Sequence, residues 1–526
     1  MEGSLMNVKM LLAVAAGGLT GVAQAQIQMI YSNLPLHPSN VVPGLENGWK
    51  PGATSQFDRP FLSPDGSRWV LGGFANEVTT ADRVLVAGSG PTRAGAVLVF
   101  QEGPVPFASG RNLSFVDTEL SVNNAGQIAV AMDLDGATTD DECLVVYNAT
   151  SGFERLVLRE DQAEPTGLFT GNNVGGTIDS PNMLADGRVA YKSLFDGPGT
   201  ATPVLPLTAN NNDFLMVETV GGGAHTIIAQ EGVTATEPAG TIWDLFDAGD
   251  FFMSPDGSRW LAQGNDEGAT TTDQLLVYNN GTAPDVVIRE GDLIYGGVGT
   301  STAAALDAFM SRDGSHWITN GSNSGTLPLD WVVFDGTRVA GTDEDITPNA
   351  PSGELYDDAL FAATFFSVAV NNVGDYIVGG TTNAVDVNAN AVLVLNGTRV
   401  VVREGDPIDA DGNGQMDDNV FVSVFNNFDL ALSDDLKLYF VADIRDGALT
   451  ALGQAFLVVD LAQGPACDPD LNQDGNVDQD DVSYLIDVVG GGPNPTGIDP
   501  DFNQDGNVDQ DDVNALINTV GGAGCP

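Results

Sequence analysis

A seven-residue theme recurs along most of this chain, and its spacing limits the folds open to it. Ser63-Pro64-Asp65-Gly66-Ser67-Arg68-Trp69 returns as Ser254-Pro255-Asp256-Gly257-Ser258-Arg259-Trp260, and again as Ser311-Arg312-Asp313-Gly314-Ser315-His316-Trp317. Weaker copies are Asn123-Asn124-Ala125-Gly126, Leu184-Ala185-Asp186-Gly187, Asn371-Asn372-Val373-Gly374 and Ser433-Asp434-Asp435-Leu436. The fourth residues of the copies lie 57 to 70 residues apart. A near-constant period over seven copies marks a repeat architecture, in which each unit buries its apolar surface against its neighbours.

Each unit has one internal order. An apolar strand enters the Asp-Gly or Asn-x-Gly turn and a second strand leaves it. After a polar loop comes an apolar run such as Leu144-Val145-Val146-Tyr147 or Val392-Leu393-Val394-Leu395. A last strand ends in Arg-Glu-Gly-Asp, as at Arg289-Glu290-Gly291-Asp292 and Arg403-Glu404-Gly405-Asp406, or in the looser Arg159-Glu160-Asp161 and Gln230-Glu231-Gly232. Asp-Gly between apolar runs is a hairpin signal. Two hairpins per unit and seven units predict a mainly β fold, a seven-bladed β-propeller of four-stranded blades over residues 26–464. A pair of two-sheet sandwiches is the alternative. The seventh copy stops at Phe456-Leu457-Val458-Val459-Asp460, one strand short. Ile27-Gln28-Met29-Ile30-Tyr31 is a spare strand near the other end, and is expected to complete that blade and close the ring. The Ser-Pro-Asp-Gly element is similar to the repeats of propellers related to the Tol-system periplasmic protein. The Arg-Glu-Gly-Asp theme resembles secreted planctomycete-type repeats. Those resemblances imply a fold and no activity.

Two near-copies of an acidic loop follow. Asp470, Asn472, Asp474, Asn476, Asp478 and Asp481 occupy positions 1, 3, 5, 7, 9 and 12 of the first, and Asp501, Asn503, Asp505, Asn507, Asp509 and Asp512 repeat them in the second. Glycine stands at position 6 in both, Gly475 and Gly506. Alternating oxygen side chains around a glycine turn are the ligand spacing of an EF-hand-type calcium loop. Asp replaces the usual bidentate Glu at position 12. After each loop, apolar residues fall at i, i+3, i+4 and i+7: Val482, Leu485, Ile486 and Val489, then Val513, Leu516, Ile517 and Val520. The segments before the loops are rich in Pro and Gly, so these are loop–helix half-hands. The rival reading is a solvated acidic tail.

This duplicated half-hand resembles the dockerin domain, a calcium-dependent module that docks onto cohesin domains. The Gly-Cys-Pro ending is similar to Gly-Cys-type anchors of planctomycete-style secreted proteins. The resemblance implies a small α-helical module over residues 465–526, two bound calcium ions, and a cohesin-like or cell-surface protein as partner. It also implies that the two ends of the module meet, so that Cys467 and Cys525 form a disulfide; the alternative is two free thiols. Positions 10 and 11, Gln479-Asp480 and Gln510-Asp511, depart from the small hydroxyl residues that often serve cohesin recognition.

A third acidic run, Asp409, Asp411, Asn413, Gln415 and Asp417, mimics positions 1, 3, 5, 7 and 9 of the calcium loop, but position 12 is Val420. It is read either as a further calcium site near residue 411 or as a polar turn. Cys143, left over on an apolar strand, is expected to be a buried free thiol.

Acidic residues number 72 against 19 basic, a net charge of -53. That balance argues strongly against nucleic acid as a partner, since phosphates need Lys and Arg. Lys9, the apolar stretch Met10–Val22 and Ala23-Gln24-Ala25 read as a secretory signal over residues 1–25 with no later membrane insertion, which places the mature chain outside the cell or at its surface. Only His37, His225 and His316 are present, in no zinc-ligating spacing. The repeated Trp69, Trp260 and Trp317 read as core rather than as a sugar-stacking set. The Arg-Glu-Gly-Asp corners read as turn chemistry, with Arg and Glu pairing between neighbouring blades. The expected function is an exported, non-catalytic propeller that binds or displays, with a glycan as one candidate ligand. The alternative is a polysaccharide-active enzyme with carboxylates at the channel mouth. No catalytic residue can be selected from 72 acids.

Overall fold

A computed structural model of the chain describes residues 26–462, apart from 53–55, 137–138, 170–171, 197–206, 209, 221–222, 238–239, 293, 295–299, 325–328, 349–351 and 358–363. Beyond these it describes 471–472, 478–492, 494, 500, 502, 508 and 510–520. The chain divides into two compact bodies, Gln26–Ala462 and a second that holds the described residues from Gln463 onward.

The first body is a seven-bladed β-propeller. Six blades are four-stranded antiparallel sheets in simple sequence order, and the seventh has five strands. The fourth blade shows the plan: Trp243–Met253 innermost, then Trp260–Asp266, Gln274–Asn279 and Pro284–Arg289. The recurring turn joins the first and second strands of every blade. In each copy the fourth residue donates its N–H to the carbonyl of the first, as Gly66 does to Ser63 at 2.8 Å and Gly257 to Ser254 at 2.8 Å. That residue has a left-handed backbone in all seven turns, including Leu436 with φ 58°. Glycine is favoured there because a Cβ is strained at such φ.

The middle strands of the blades are buried on both faces. Val84–Val86 and Ile128–Met132 are each at most 1% exposed. Every blade is sandwiched between two others, so its central strands read as continuous apolar runs and not as alternating ones. The core is a set of interblade layers. One joins Val70, Leu85 and Ala87 of the first blade to Leu120, Val130 and Val145 of the second.

The ring closes as the repeat count predicts. Ile27–Ser32 lies antiparallel to Ala451–Asp460, with Ile27 opposite Val459 and Ser32 opposite Ala455. The seventh blade therefore takes its strands from both ends of the repeat region. Its fifth strand, Ile408–Asp409, pairs in parallel with Ile27 and Gln28. The prediction of four strands omits it. Its effect is to cover the open edge that the closing strand would otherwise present.

The three repeated tryptophans are core: Trp69 is fully buried, Trp260 is 7% exposed and Trp317 4%. Trp69 packs edge-on against Tyr31 and Phe456, ring centroids 5.9 Å and 5.3 Å away. Cys143 is a free, buried thiol whose Sγ lies 3.3 Å from the carbonyl oxygen of Met132, and burial pushes it up to about 12.

In the second body, helices Gln479–Val489 and Gln510–Val520 share one small core of Leu471, Val482, Leu485, Phe502, Val513 and Leu516. No helix among the described residues is long and apolar enough to cross a membrane.

Candidate functional site: the channel and the acidic loops

The innermost strands of the blades end at the repeated turns, and there a cavity of about 120 Å3 lies on the propeller axis. Leu120, Val122, Met183, Phe251, Met310, Val368 and Leu430 are among its walls, with polar contributions from Asn182, Ser311, Arg59 and Arg312. No carboxylate is among its described lining residues. The turns themselves lace together at this end. Asn372 links four of them. Its side-chain oxygen accepts the N–H of Asp313 at 2.7 Å, and its Nδ2 donates to the carbonyl of Pro64 and to Asp434 Oδ2, both at 2.9 Å. Its own N–H donates to Asp434 Oδ1 at 2.9 Å.

Arg59 is held by two rings, with its guanidinium 4.4 Å above Phe309 and 5.0 Å above Phe61. Asp307, nearby, is pushed up to about 6 by burial, against a hydrogen bond from Asn320 and the charge of Arg59. Arg312 is the second residue of its turn. Sister turns carry Pro64 and Pro255 there, and both also line the cavity. The sequence signal for Arg312 was this departure from Pro, which the repeat alignment absorbs as ordinary variation.

The Arg-Glu-Gly-Asp corners are turn chemistry, and their arginines bond in more than one way: Arg403 meets Glu354, in the segment that joins the fifth and sixth blades, at 2.7 Å, whereas others stay within their own blade. Arg289 donates to Asp266 at 2.6 Å and to the carbonyl of Thr272 at 2.8 Å, both in its own blade. Arg159 donates to Asp140, again within one blade. The Glu residues instead accept backbone N–H groups near the start of the third strand. Glu231 accepts from Asn212 and Asp213, each at 3.1 Å, and Glu160 from Asp141. The corner Asp closes the turn: Asp292 accepts the N–H of Arg289 at 2.8 Å. Desolvation raises the carboxyls of Glu404 and Asp406 to about 7.

Of the weaker acidic run, the structure brings together Asp409, Asp411 and Asp418, whose carboxylate oxygens lie within 4.8 Å of one another. Asp418 takes the place that spacing gives to Asp417, because its Oδ2 accepts the N–H groups of Ala410 and Asp411 at 2.7 and 3.1 Å. Asp409 is 1% exposed and accepts N–H groups from Gly412, Asn413 and Gly414 as well as Gln26 Nε2. Asn413 accepts from Gln415. These bonds tie the run into a polar turn on the closing blade and leave three carboxylates gathered at one point, where they could hold a cation.

The C-terminal loops lie partly outside the described residues: Asp470, Asp474, Asn476, Asp501, Asn503, Asp505, Asn507, Asp509, Cys467 and Cys525 are not described, nor is the segment 1–25. The position-12 residues Asp481 and Asp512 are both fully buried. Asp481 accepts the N–H of Asn472, loop position 3, at 3.0 Å and that of Asp478, position 9, at 2.9 Å. Asp478 in turn caps the helix, accepting from Asp480. Among the apolar stripe residues, Ile486 and Ile517 are 50% and 47% exposed. Eleven-residue helices packed through one face leave the i+4 position of each outside the contact.

Each histidine has a local partner: His37 bonds Ser39, His316 bonds Asp335, and His225 bonds the buried hydroxyl of Tyr191.

No protein family profile matches this chain, and no curated protein does. Solved structures that resemble it include a TolB from Agrobacterium tumefaciens, 12% identical over 55% of this chain and 82% of that one, TM-score 0.32. Another is the β-propeller domain of the Trilobed protease from Pyrococcus furiosus, 11% identical over 64% and 83%, TM-score 0.34. A prolyl endopeptidase is 12% identical with TM-score 0.40, and the match spans 79% of this chain and only 51% of that one.

Proposed function

We propose that this chain is an exported binding or display propeller, attached to an extracellular or cell-surface partner by a calcium-dependent, dockerin-like module at residues 465–526. The observation that carries the reading is the duplication itself. Two Asp-x-Asn-x-Asp-Gly loops each feed a helix, the two helices share a core, and the acid at position 12 of each loop is buried. The ligand carboxylates of each loop repel one another, and a calcium ion in each loop would offset that repulsion. Asp470, Asn472, Asp474, Asn476, Asp478 and Asp481 would hold one ion, and Asp501, Asn503, Asp505, Asn507, Asp509 and Asp512 the other. Binding and folding of such a module are then one event.

Ile486 and Ile517 occupy the same position in the two copies and are both exposed, which suits a paired docking surface for a cohesin-like or other surface protein. The channel walls favour binding over hydrolysis, because a glycosidase needs a carboxylate pair and the described lining offers none. A glycan remains a candidate ligand for the propeller. The test is capture of a surface partner from the producing cells with immobilised full chain, in calcium and in EDTA. Retention in calcium that is lost in EDTA supports attachment; equal retention in both refutes it.

A further inference from the structure

The first and fourth blades carry the same turn, Ser-Pro-Asp-Gly-Ser-Arg-Trp, and differ in what stands behind it. In the fourth blade, Tyr278 is paired with Leu261, the residue after Trp260. Its side chain reaches the fifth blade, where the hydroxyl donates to the carbonyl of Gly314, the fourth residue of the next turn, at 2.6 Å. Met310 and Trp317, a cross-strand pair of the fifth blade, lie in the same apolar layer. Where the first blade meets the second, every counterpart is smaller. Ala87, paired with Val70, the residue after Trp69, takes the place of Tyr278. Val122 and Ile128, again a cross-strand pair, take the places of Met310 and Trp317. The other blades put Val146, Val217, Phe334, Leu395 and Val458 at the position of Ala87, so it has the smallest side chain of the seven. The arginine of the turn is kept: a Cβ on Gly126, the counterpart of Gly314, would stand 3.5 Å from Arg68 Cζ. The result is a cavity of about 240 Å3 between the two blades, with Arg68, Trp69, Ala87, Val122, Gly126 and Ile128 among its walls.

We propose that the cavity between the first and second blades binds a small neutral phenol, which supplies the ring and hydroxyl that Tyr278 supplies at the sister junction. The ring lies against Ala87, Val122 and Ile128, and the hydroxyl donates to the carbonyl of Gly126. That oxygen accepts one bond among the described residues, from the N–H of Ala149 at 3.0 Å, and a carbonyl has a second lone pair to offer. Arg68, whose Nε donates to the carbonyl of Asn124 at 3.2 Å, brings its guanidinium to the ring as a cation–π partner. An apolar cavity of roughly 150 Å3 is enough to hold a benzene ring, so this one admits a phenol with a small substituent. The net charge of -53 weighs against a phenolic acid in its place. The site makes no use of the calcium module, so failure of either reading leaves the other standing.

The experiment is titration calorimetry of the full chain with phenol, in saturating calcium and at two temperatures. Anisole, which lacks the donor, and cyclohexanol, which lacks the aromatic face, are the controls. One phenol per chain is expected, with each control bound at least about tenfold more weakly. Ala87→Tyr installs the residue that the fourth blade carries at the same place, and so fills the cavity from within. Ala87→Leu, which copies the sixth blade, is the second variant. Either, once its thermal unfolding shows a folded propeller, is expected to bind phenol at least about tenfold more weakly. Absence of heat with phenol at both temperatures overturns the site, and this arm needs no variant. So does binding of anisole or cyclohexanol as tight as phenol, or unchanged phenol affinity in a folded Ala87→Tyr or Ala87→Leu.

Discussion

Tyr31 lies opposite Phe456 across the seam where the first strand of the propeller meets the last. Both are buried, and Trp69 and Trp49 pack on the same tyrosine, with centroids 5.9 and 5.5 Å from it. The seam is thus held by an aromatic cluster as well as by a β-ladder. Tyr31→Ala removes the ring at the centre of that cluster and is expected to cost about 3 to 5 kcal/mol. Chemical unfolding at fixed calcium measures it. A loss under about 1 kcal/mol would mean that the seam contributes little to stability.

Gly66 and Ser433 face each other across the same junction, from the first and seventh turns. A Cβ on Gly66, whose φ is +69°, would stand 2.8 Å from the Cβ of Ser433. Gly66→Ala therefore carries left-handed strain of about 1 to 2 kcal/mol together with a steric cost between blades. Gly152, with φ +80° and open space around it, is the control. Gly66→Ala is expected to lower the thermal midpoint clearly more than Gly152→Ala; equal shifts would leave the turn contact without a role.

The repeat carried most of this fold in plain view. Its fourth position set the turns, its apolar runs set the interblade layers, and its missing strand identified the partner of Ile27–Tyr31. Other features were hidden for physical reasons. Ile408–Asp409 is two residues long and has no periodicity to detect. Arg289 and Arg159 find Asp residues inside their own blades, a choice made by strand order that the motif alone does not encode. Asp418 displaces Asp417 because backbone N–H groups draw it across the turn. Arg312 looked like a variant proline position until the axis placed it in a cavity. In the C-terminal loops, residue type and spacing were legible from the start, and Asn472, Asp478, Asp481 and Asp512 are where they meet the described structure.

Asp213 gives the propeller a pH signature. It is 1% exposed, and desolvation raises its carboxyl to about 7, against the charge of Lys192 that partly offsets it. An unfolded Asp titrates near ~4, so the native state keeps a proton that the unfolded chain has released. Its contribution is fully present below about pH 4 and is lost as pH rises through about 7. His37 and His225, both lowered chiefly by burial, act in the opposite sense, so the comparison is with Asp213→Asn. The variant is expected to gain stability over the parent from about pH 4 to about pH 7 and to hold that gain above it, by denaturant titration at each pH. Parallel curves would show that Asp213 is already ionised in the fold.

Exposed Ile486 and Ile517 separate docking from calcium binding. The double change to Asp leaves the shared core of Val482, Leu485, Val513 and Leu516 untouched. Calcium affinity is expected to change by less than about threefold while capture of the surface partner falls at least tenfold. Undiminished capture would place the docking surface elsewhere.

If a calcium-dependent module carries the propeller, calorimetry of the full chain will register it as a separate transition. In millimolar calcium two unfolding transitions are expected, a large one for the propeller and a small one for residues 465–526. Excess EDTA should abolish the small transition or move it to much lower temperature, as should Asp481→Ala together with Asp512→Ala in calcium. Thermograms that superimpose in calcium and in EDTA would mean that residues 465–526 do not depend on calcium to fold.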